Sequence, residues 1–427
     1  MKRRVVITGA GCITPLGNSP QSLWENLIAG RSGVGPIRLF DASSFPVRIA
    51  AEVPDWDMAQ VSRDLEVAGH WARQTQFAAV AAREAVRSSG LRDSAPSPER
   101  IGICTGCGEI YPDFQVWCHS GAAATGDQGF DLQEFLQQSR QSMPEGQDSF
   151  LEPGLATGLI AAAVHAQGPQ MNYTSACVSS TKAIGEAAER IGAGEADVML
   201  AGGAHSMIHP FGLSGFLRLS TLSMRNDEPT RAARPFDRQR DGFVIGEGGA
   251  ILVLEAREHA LRRNAEIWAE FTGWGSTHDA YRITDLEPEG RAAARCMRLA
   301  LHQARLNPED IDYINAHGSG TVLNDKTETL AIKRALGDWA YHVPISSTKS
   351  MTGHLTTACG AIESLICVMA LRHGVAPPTI NQRAPDPECD LDYVPNAARE
   401  IVCRHTMKNS FGFGGQNIVL ILSRYEA

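Results

Sequence analysis

The stretch TSACVSSTKA, Thr174 to Ala183, sets one cysteine among small residues where an extended run gives way to a helical pattern. A thiol at a helix start lies beside unpaired backbone N–H groups, which favour the thiolate and lower its pKa below the free value of about 8.5. Cys177 is therefore a candidate nucleophile, and small Val178, Ser179, Ser180 and Thr181 leave room for a substrate to approach. INAHGSGTVLNDKTE, Ile314 to Glu328, ends an apolar run in His317 with permissive glycines beside it. STKSMTGHLTTACG, Ser347 to Gly360, adds Lys349 and His354 just ahead of another helical pattern. With the glycine-rich NSFGFGGQN, Asn409 to Asn417, these segments would gather one thiol, two imidazoles, one ammonium and a pliable loop.

The elements that must position these groups repeat. SACVSSTKAIGEAAERIGAG, later followed by GEGGAILVLE, is echoed by TACGAIESLICVMALRHG, later followed by GFGGQNIVLIL. Each unit places a small residue, Ala and Cys before an apolar-periodic helix, then a glycine-rich turn entering an apolar strand. Cys177 and Cys359 thus hold matching places, and position alone does not choose between them; either also suits a buried small hydrophobe. Strand-like runs (RRVVITGAG, RIGICTGCG, ADVMLAGGA, AILVLEA, NIVLILS) alternate with helix-like ones (QFAAVAAREAVRSSG, AARCMRLALHQARLN), the pattern of an α/β protein. Two similar α/β halves are expected, residues 1–260 carrying Cys177 and residues 261–427 carrying the histidines, joined near Glu255 to Ala269. The polar segment from Tyr111 to Pro153 is expected to be irregular, capping or crossing the core.

Composition narrows the function. A hydrophobic share of 43% supplies a core, and the net charge of -9, with no basic run, argues against a nucleic-acid surface. No apolar run approaches the ~20 residues that span a bilayer, and MKRRVVITGAG passes directly into a strand, as expected of a cytoplasmic enzyme. Cys104 and Cys107 lack a second pair for a zinc site, while His205 and His209 are followed by Pro210, so a metal-binding helix is not expected there. The opening VVITGAGCITPLG lacks the third glycine of a dinucleotide-binding turn.

SACVSS, DGFVIGEGG, NAHGSGT, KSMTGH and NSFGFGGQN stand in the order found in the β-ketoacyl-acyl-carrier-protein synthases, and nearly the whole chain resembles these elongating condensing enzymes, of KAS II type, in the thiolase superfamily. The resemblance implies a thiolase-like fold of two α/β halves in α-β-α-β-α layers. Residue by residue, it implies that Cys177 accepts the acyl group and that His317 and His354 are the active-site histidines. Lys349 and Glu363 match a supporting charged pair. Phe413 matches the gate residue whose backbone N–H joins that of Cys177 in an oxyanion hole, and Ser319 and Thr321 match hydroxyls along the phosphopantetheine arm. Cys359 becomes a core cysteine. No cofactor is implied beyond the phosphopantetheine of an acyl carrier protein, which is the expected partner. A homodimer, or a heterodimer with a related chain-length-factor-like subunit, is expected, with neither nucleic acid nor membrane.

HGSGT, followed by VLND, departs from the family's usual HGT-x-T and looks more like the ketosynthases of type II polyketide systems. GCGEIYP puts Glu109 and Tyr111 where small or aliphatic residues are usual at the acyl pocket's mouth, an expected penalty for a plain saturated chain. A polyketide or polyene ketosynthase is therefore expected; a housekeeping fatty-acid enzyme is the alternative. A non-catalytic partner subunit would lack Cys177, and a degradative thiolase would need a cysteine in the last glycine loop, where GFGGQN has none.

Overall fold

A computed structural model describes residues 3–57, 71–143 and 150–426. Ten strands form one sheet: β1 (Val5–Ile13), β2 (Ile101–Thr105), β3 (Gln170–Asn172), β4 (Val198–Ser206), β5 (Glu247–Ala256), β6 (Ala269–His278), β7 (Tyr313–Asn315), β8 (Ile345–Ser346), β9 (His405–Gly412) and β10 (Gln416–Ser423). Their order, β8-β7-β9-β10-β6-β1-β5-β4-β2-β3, reads as the same five-strand pattern run outward twice from the β1–β6 seam. In each half the two outer pairings are parallel and the remainder antiparallel, so β2, β4 and β5 have counterparts in β7, β9 and β10. The seam itself is short, Val5 opposite Phe271 through Ile7 opposite Ala269. The runs read from sequence as strands occupy β1, β2, β4, β5 and β10.

Burial explains their composition. β5 is buried along all ten residues and β1 along all nine, hence near-continuous apolar runs in place of alternation. Helix α1 (Arg73–Ser89) covers one half on the outside. After α2 (Phe114–Ala123) and α3 (Leu132–Ser142), α4 (Ser179–Gly192) runs between the half-sheets. Helices α5 (Arg291–Ala304) and α6 (Val322–Leu336) cover the other half, and α7 (Cys359–His373) lies beside α4 in the middle. The layers are α-β-α-β-α. The middle helix α7 is buried from Cys359 through Leu371, so its sequence carries no polar face.

The segment from Tyr111 to Pro153 differs from the irregular stretch expected. Its described part holds α2 and α3 joined by a tight ladder, Thr125–Gly126 against Gly129–Phe130; residues 144–149 lie outside the described residues. Asp113 and Asp131 cap the two helices. Leu132, Phe135 and Leu136 of α3 do fall at helical spacing, but they stand among glutamines and the helix buries no residue, Leu132 and Leu136 being exposed. His205 and His209 also separate: His205 closes β4, whereas His209 caps a helix, Pro210–Arg218, that Pro210 opens from its first position. Among the described residues no helix is long and apolar enough to cross a membrane.

The two middle helices touch where they begin. A side chain at Gly360 would meet the Thr181 nitrogen at 2.4 Å, and the Ala361 N–H donates to Ser180 Oγ at 3.0 Å. Gly360→Ala should therefore lower stability by about 1–3 kcal/mol, as overpacking does, with a matching fall in melting temperature. A variant melting with the parent would show that the helices separate at no cost.

Candidate active site

Cys177 stands between strand and helix. β3 ends at Asn172 and α4 begins at Ser179, so Cys177 precedes the helix by two residues and is not its first turn. The turn is tight: Ala176 takes a left-handed φ of 49°, a conformation costing of order 1 kcal/mol for a residue with a side chain. Ser179 braces it, accepting from the Ser175 N–H at 2.8 Å and donating to the Ala176 carbonyl at 2.7 Å. Cys359 is a true helix residue with φ -48°. That difference separates the two cysteines.

The expected depression of the Cys177 thiol is not found. Burial pushes its pKa up to about 11, outweighing the opposing pull of the Lys349 ammonium and of the backbone N–H groups of Phe413 and Cys177. Those two N–H groups nevertheless converge on the sulfur, and Gly414 and Gly415, with φ of 90° and 82°, turn the chain after Phe413 in a way that favours glycine.

His317 and His354 arrive from the other half. One nitrogen of each lies with the Cys177 sulfur in a set whose members are all within 4.8 Å of one another, and the two rings meet edge-on at 5.5 Å. Glu328 on α6 holds the His317 loop, accepting from the N–H groups of His317 at 2.8 Å and Gly318 at 2.7 Å. His354 is clamped by Val244 and Gly246 of the DGFVIGEGG stretch: its N–H donates to the Val244 carbonyl at 2.7 Å, and its carbonyl accepts from Gly246 at 3.0 Å. The first half thereby fixes a histidine of the second.

Both imidazoles are neutral, because burial and then the Lys349 charge hold their pKa values well below the usual range. Their tautomers follow from their neighbours. The Thr356 N–H donates to His354 Nδ1 at 2.9 Å, and Lys349 Nζ approaches His317 Nδ1 at 3.4 Å. Each Nδ1 is thus an acceptor, leaving the proton on Nε2. Lys349 also donates to the His317 carbonyl at 2.6 Å and pairs with Glu363. Burial opposes its charge, but Glu363 more than compensates and its pKa rises.

The structure thus unites Cys177, His317, His354, Lys349, Glu363 and the Phe413 backbone. Ser319 and Thr321 occupy the adjoining loop, their hydroxyls 3.1 Å apart, and Thr321 caps α6. Cys359, expected as a core residue, touches the site from behind, its sulfur 3.4 Å from His354 Nδ1. Glu109 and Tyr111 do not join the cluster. The Glu109 side chain is exposed, so it is not the buried, unpaired carboxylate expected; only its carbonyl reaches inward, 3.3 Å from His205 Nε2. Tyr111 stacks on His209 at 5.1 Å beside Phe211, and burial pushes its phenol up to about 12.

Sequence reasoning missed Glu328, Asn409 and Lys408. Glu328 is fully enclosed, and burial raises its pKa to about 7 against hydrogen bonds from Gly318, Asn409 and His317. A carboxylate on a helix gives no signal of an acceptor beneath a loop eleven residues earlier. Asn409 Nδ2 donates to it at 3.1 Å, and Lys408 reaches Glu363 Oε2 at 3.1 Å. A lysine in an apolar strand pattern was the one available signal, since charge is rarely buried there unpaired.

Because the Cys177 thiol is protonated at neutrality, its alkylation by iodoacetamide should climb steadily with pH through the alkaline range. A plateau near neutrality would show a thiolate already formed.

Comparison with known proteins agrees with this geometry. Residues 2–260 match the family described as beta-ketoacyl synthase, N-terminal domain, and residues 268–383 its C-terminal domain. The chain is 45% identical to 3-oxoacyl-[acyl-carrier-protein] synthase 2 of Coxiella burnetii (strain RSA 493 / Nine Mile phase I), over 99% of each chain. It is 41% identical to putative polyketide beta-ketoacyl synthase 1 of Streptomyces halstedii, over 100% of this chain and 99% of the relative. Among solved structures, the ishigamide ketosynthase/chain length factor superposes with a TM-score of 0.87 at 35% identity, covering 100% of both chains. The thiol, the two neutral imidazoles and the paired N–H groups therefore stand in a known scaffold, and the chain belongs to the β-ketoacyl synthase family.

Proposed function

We propose that this chain catalyses decarboxylative condensation of a malonyl group, carried by an acyl carrier protein, with an acyl chain held on Cys177. The observation that carries this reading is the pair of neutral imidazoles, each with its proton on Nε2, facing a thiol that two backbone N–H groups also address. Residues 1–260 supply the thiol and residues 261–427 the imidazoles, in a cytoplasmic enzyme.

The Cys177 sulfur attacks an incoming thioester, and the carrier's thiol leaves with the proton that Cys177 gives up. The tetrahedral oxygen is held by the N–H groups of Cys177 and Phe413. Ser319 and Thr321 line the phosphopantetheine arm of the next carrier. Its malonyl carboxylate departs as CO2, leaving the bonding pair in an enolate whose oxygen accepts from Nε2–H of His317 and His354. The enolate carbon then attacks the Cys177 thioester, and the same backbone pair holds the second oxyanion until the carbon–sulfur bond breaks and the thiolate regains a proton from solvent. Each such donor contributes about 10²–10³ in rate. Charge is carried by fixed N–H groups throughout, so we propose no metal or organic cofactor.

The name of the Coxiella relative carries an acyl carrier protein, that of the Streptomyces relative polyketide synthesis, and the ishigamide ketosynthase comes with a chain length factor. With HGSGT followed by Asn324 and Asp325, this supports a polyketide or polyene ketosynthase acting with a related silent subunit. An exposed Glu109 equally suits the alternative, a fatty-acid elongating homodimer.

Cys177→Ala should abolish condensation and Cys359→Ala should leave most of it, read by product mass. His317→Ala should still load Cys177 but lose CO2 release by ~10²-fold or more; release at the parent rate would remove the enolate role. Saturated, β-keto and polyenoyl carriers of equal length, compared with and without candidate partner subunits, separate the pathways. If the isolated chain elongates saturated groups best, it is the fatty-acid enzyme.

A further inference from the structure

Lys408 lies on β9 with no exposed side-chain surface. Its ammonium donates to Thr181 Oγ1 at 2.9 Å, to the Ser410 hydroxyl, and stands 3.1 Å from Glu363 Oε2. The other oxygen of Glu363 carries Lys349. Two enclosed ammoniums therefore share one carboxylate, a surplus of positive charge that packing alone would not call for, since a methionine would fill a similar space without the cost of burying an ion. Burial lowers the pKa of Lys408 and Lys349 adds to the fall, while Glu363 opposes it; the other titratable groups around it are Cys359 and Cys367 on α7 and the two imidazoles, with Glu328 acting on Lys349. Thr181 lies in the first turn of α4, four residues beyond Cys177.

We propose that Lys408 is a positioning residue: sharing Glu363 with Lys349, it adds a second cation to the burial and the Lys349 charge that hold His317 and His354 neutral, and it ties the helix after Cys177 to a strand of the other half. A second proton on either ring would have to go on Nδ1, where Thr356 or Lys349 already donates. Protonation would therefore turn the ring out of register, and a nearby fixed cation opposes that step. The inference rests on the preceding reading for its catalytic meaning but not for its electrostatics.

The test is an NMR titration of the histidine rings in the full-length protein and in Lys408→Met, with CO2 release from a malonyl carrier followed over the same acid range. The rings of His317 and His354, assigned through His317→Asn and His354→Asn, should titrate about one pH unit higher in Lys408→Met. The acid limb of CO2 release should move up with them. Rings that titrate as in the parent, with only a lower melting temperature, would reduce Lys408 to a structural strut and overturn the proposal. Should Lys408→Met fail to fold, Lys408→Gln keeps a donor toward Glu363 and Thr181 while removing the charge, and the same upward shift, or its absence, decides. Rings that shift in a protein whose parent form releases no CO2 would uphold the charge effect and defeat the condensing reading instead.

Discussion

The centre of this molecule depends on how one enclosed carboxylate is neutralised. Glu363 projects from a helix with no solvent face, and leaving a buried charge without its partner costs about 3–5 kcal/mol. Lys349 and Lys408 meet its two oxygens from different elements, one just before α7 and one on β9. With Glu363 satisfied, Lys349 has donors left for the carbonyl and Nδ1 of His317. The orientation and tautomer of that imidazole follow from the pair, and the Lys349 charge adds to burial in keeping it neutral.

A consequence is that the resting site holds a thiol facing imidazoles that carry no charge. The same burial that keeps the rings neutral raises the thiol to about 11, so this is not a stored thiolate–imidazolium pair. Fixed N–H donors fill the space where negative charge would develop, and such donors act most strongly where water is excluded. The site is organised to receive an anion that chemistry generates, not to hold one in advance.

The internal duplication supplies the scaffold, and small departures from it divide the labour. Equivalent helices touch near their starts, at Ser180 and Gly360. In the first half the chain hesitates before the helix, Ala176 turning left-handed, and Cys177 is presented in the turn. In the second half the helix begins at Cys359, whose sulfur is drawn against the back of His354. The left-handed residue adjoins the cysteine in the first half but stands three residues ahead of it in the second, at Thr356, and the matching positions carry different duties.

By itself the sequence determined the α/β alternation, the two related halves and the grouping of Cys177, His317, His354, Lys349 and Glu363, because buried strands, apolar helix periods and glycine-rich turns are local signals and the ordered motifs resemble one family. It did not determine the helices between Tyr111 and Pro153, which bury almost none of their residues, nor that Glu109 points to solvent. The choice between Cys177 and Cys359 also needed more than position, since a left-handed φ at Ala176 has no signature in an alanine. Glu328, Asn409 and Lys408 entered the site only in three dimensions. Their partners lie on other elements, and the direction of each pKa is set by burial and by charges that sequence spacing does not bring near. Tertiary packing decided which charges meet, and hence which protons the site carries.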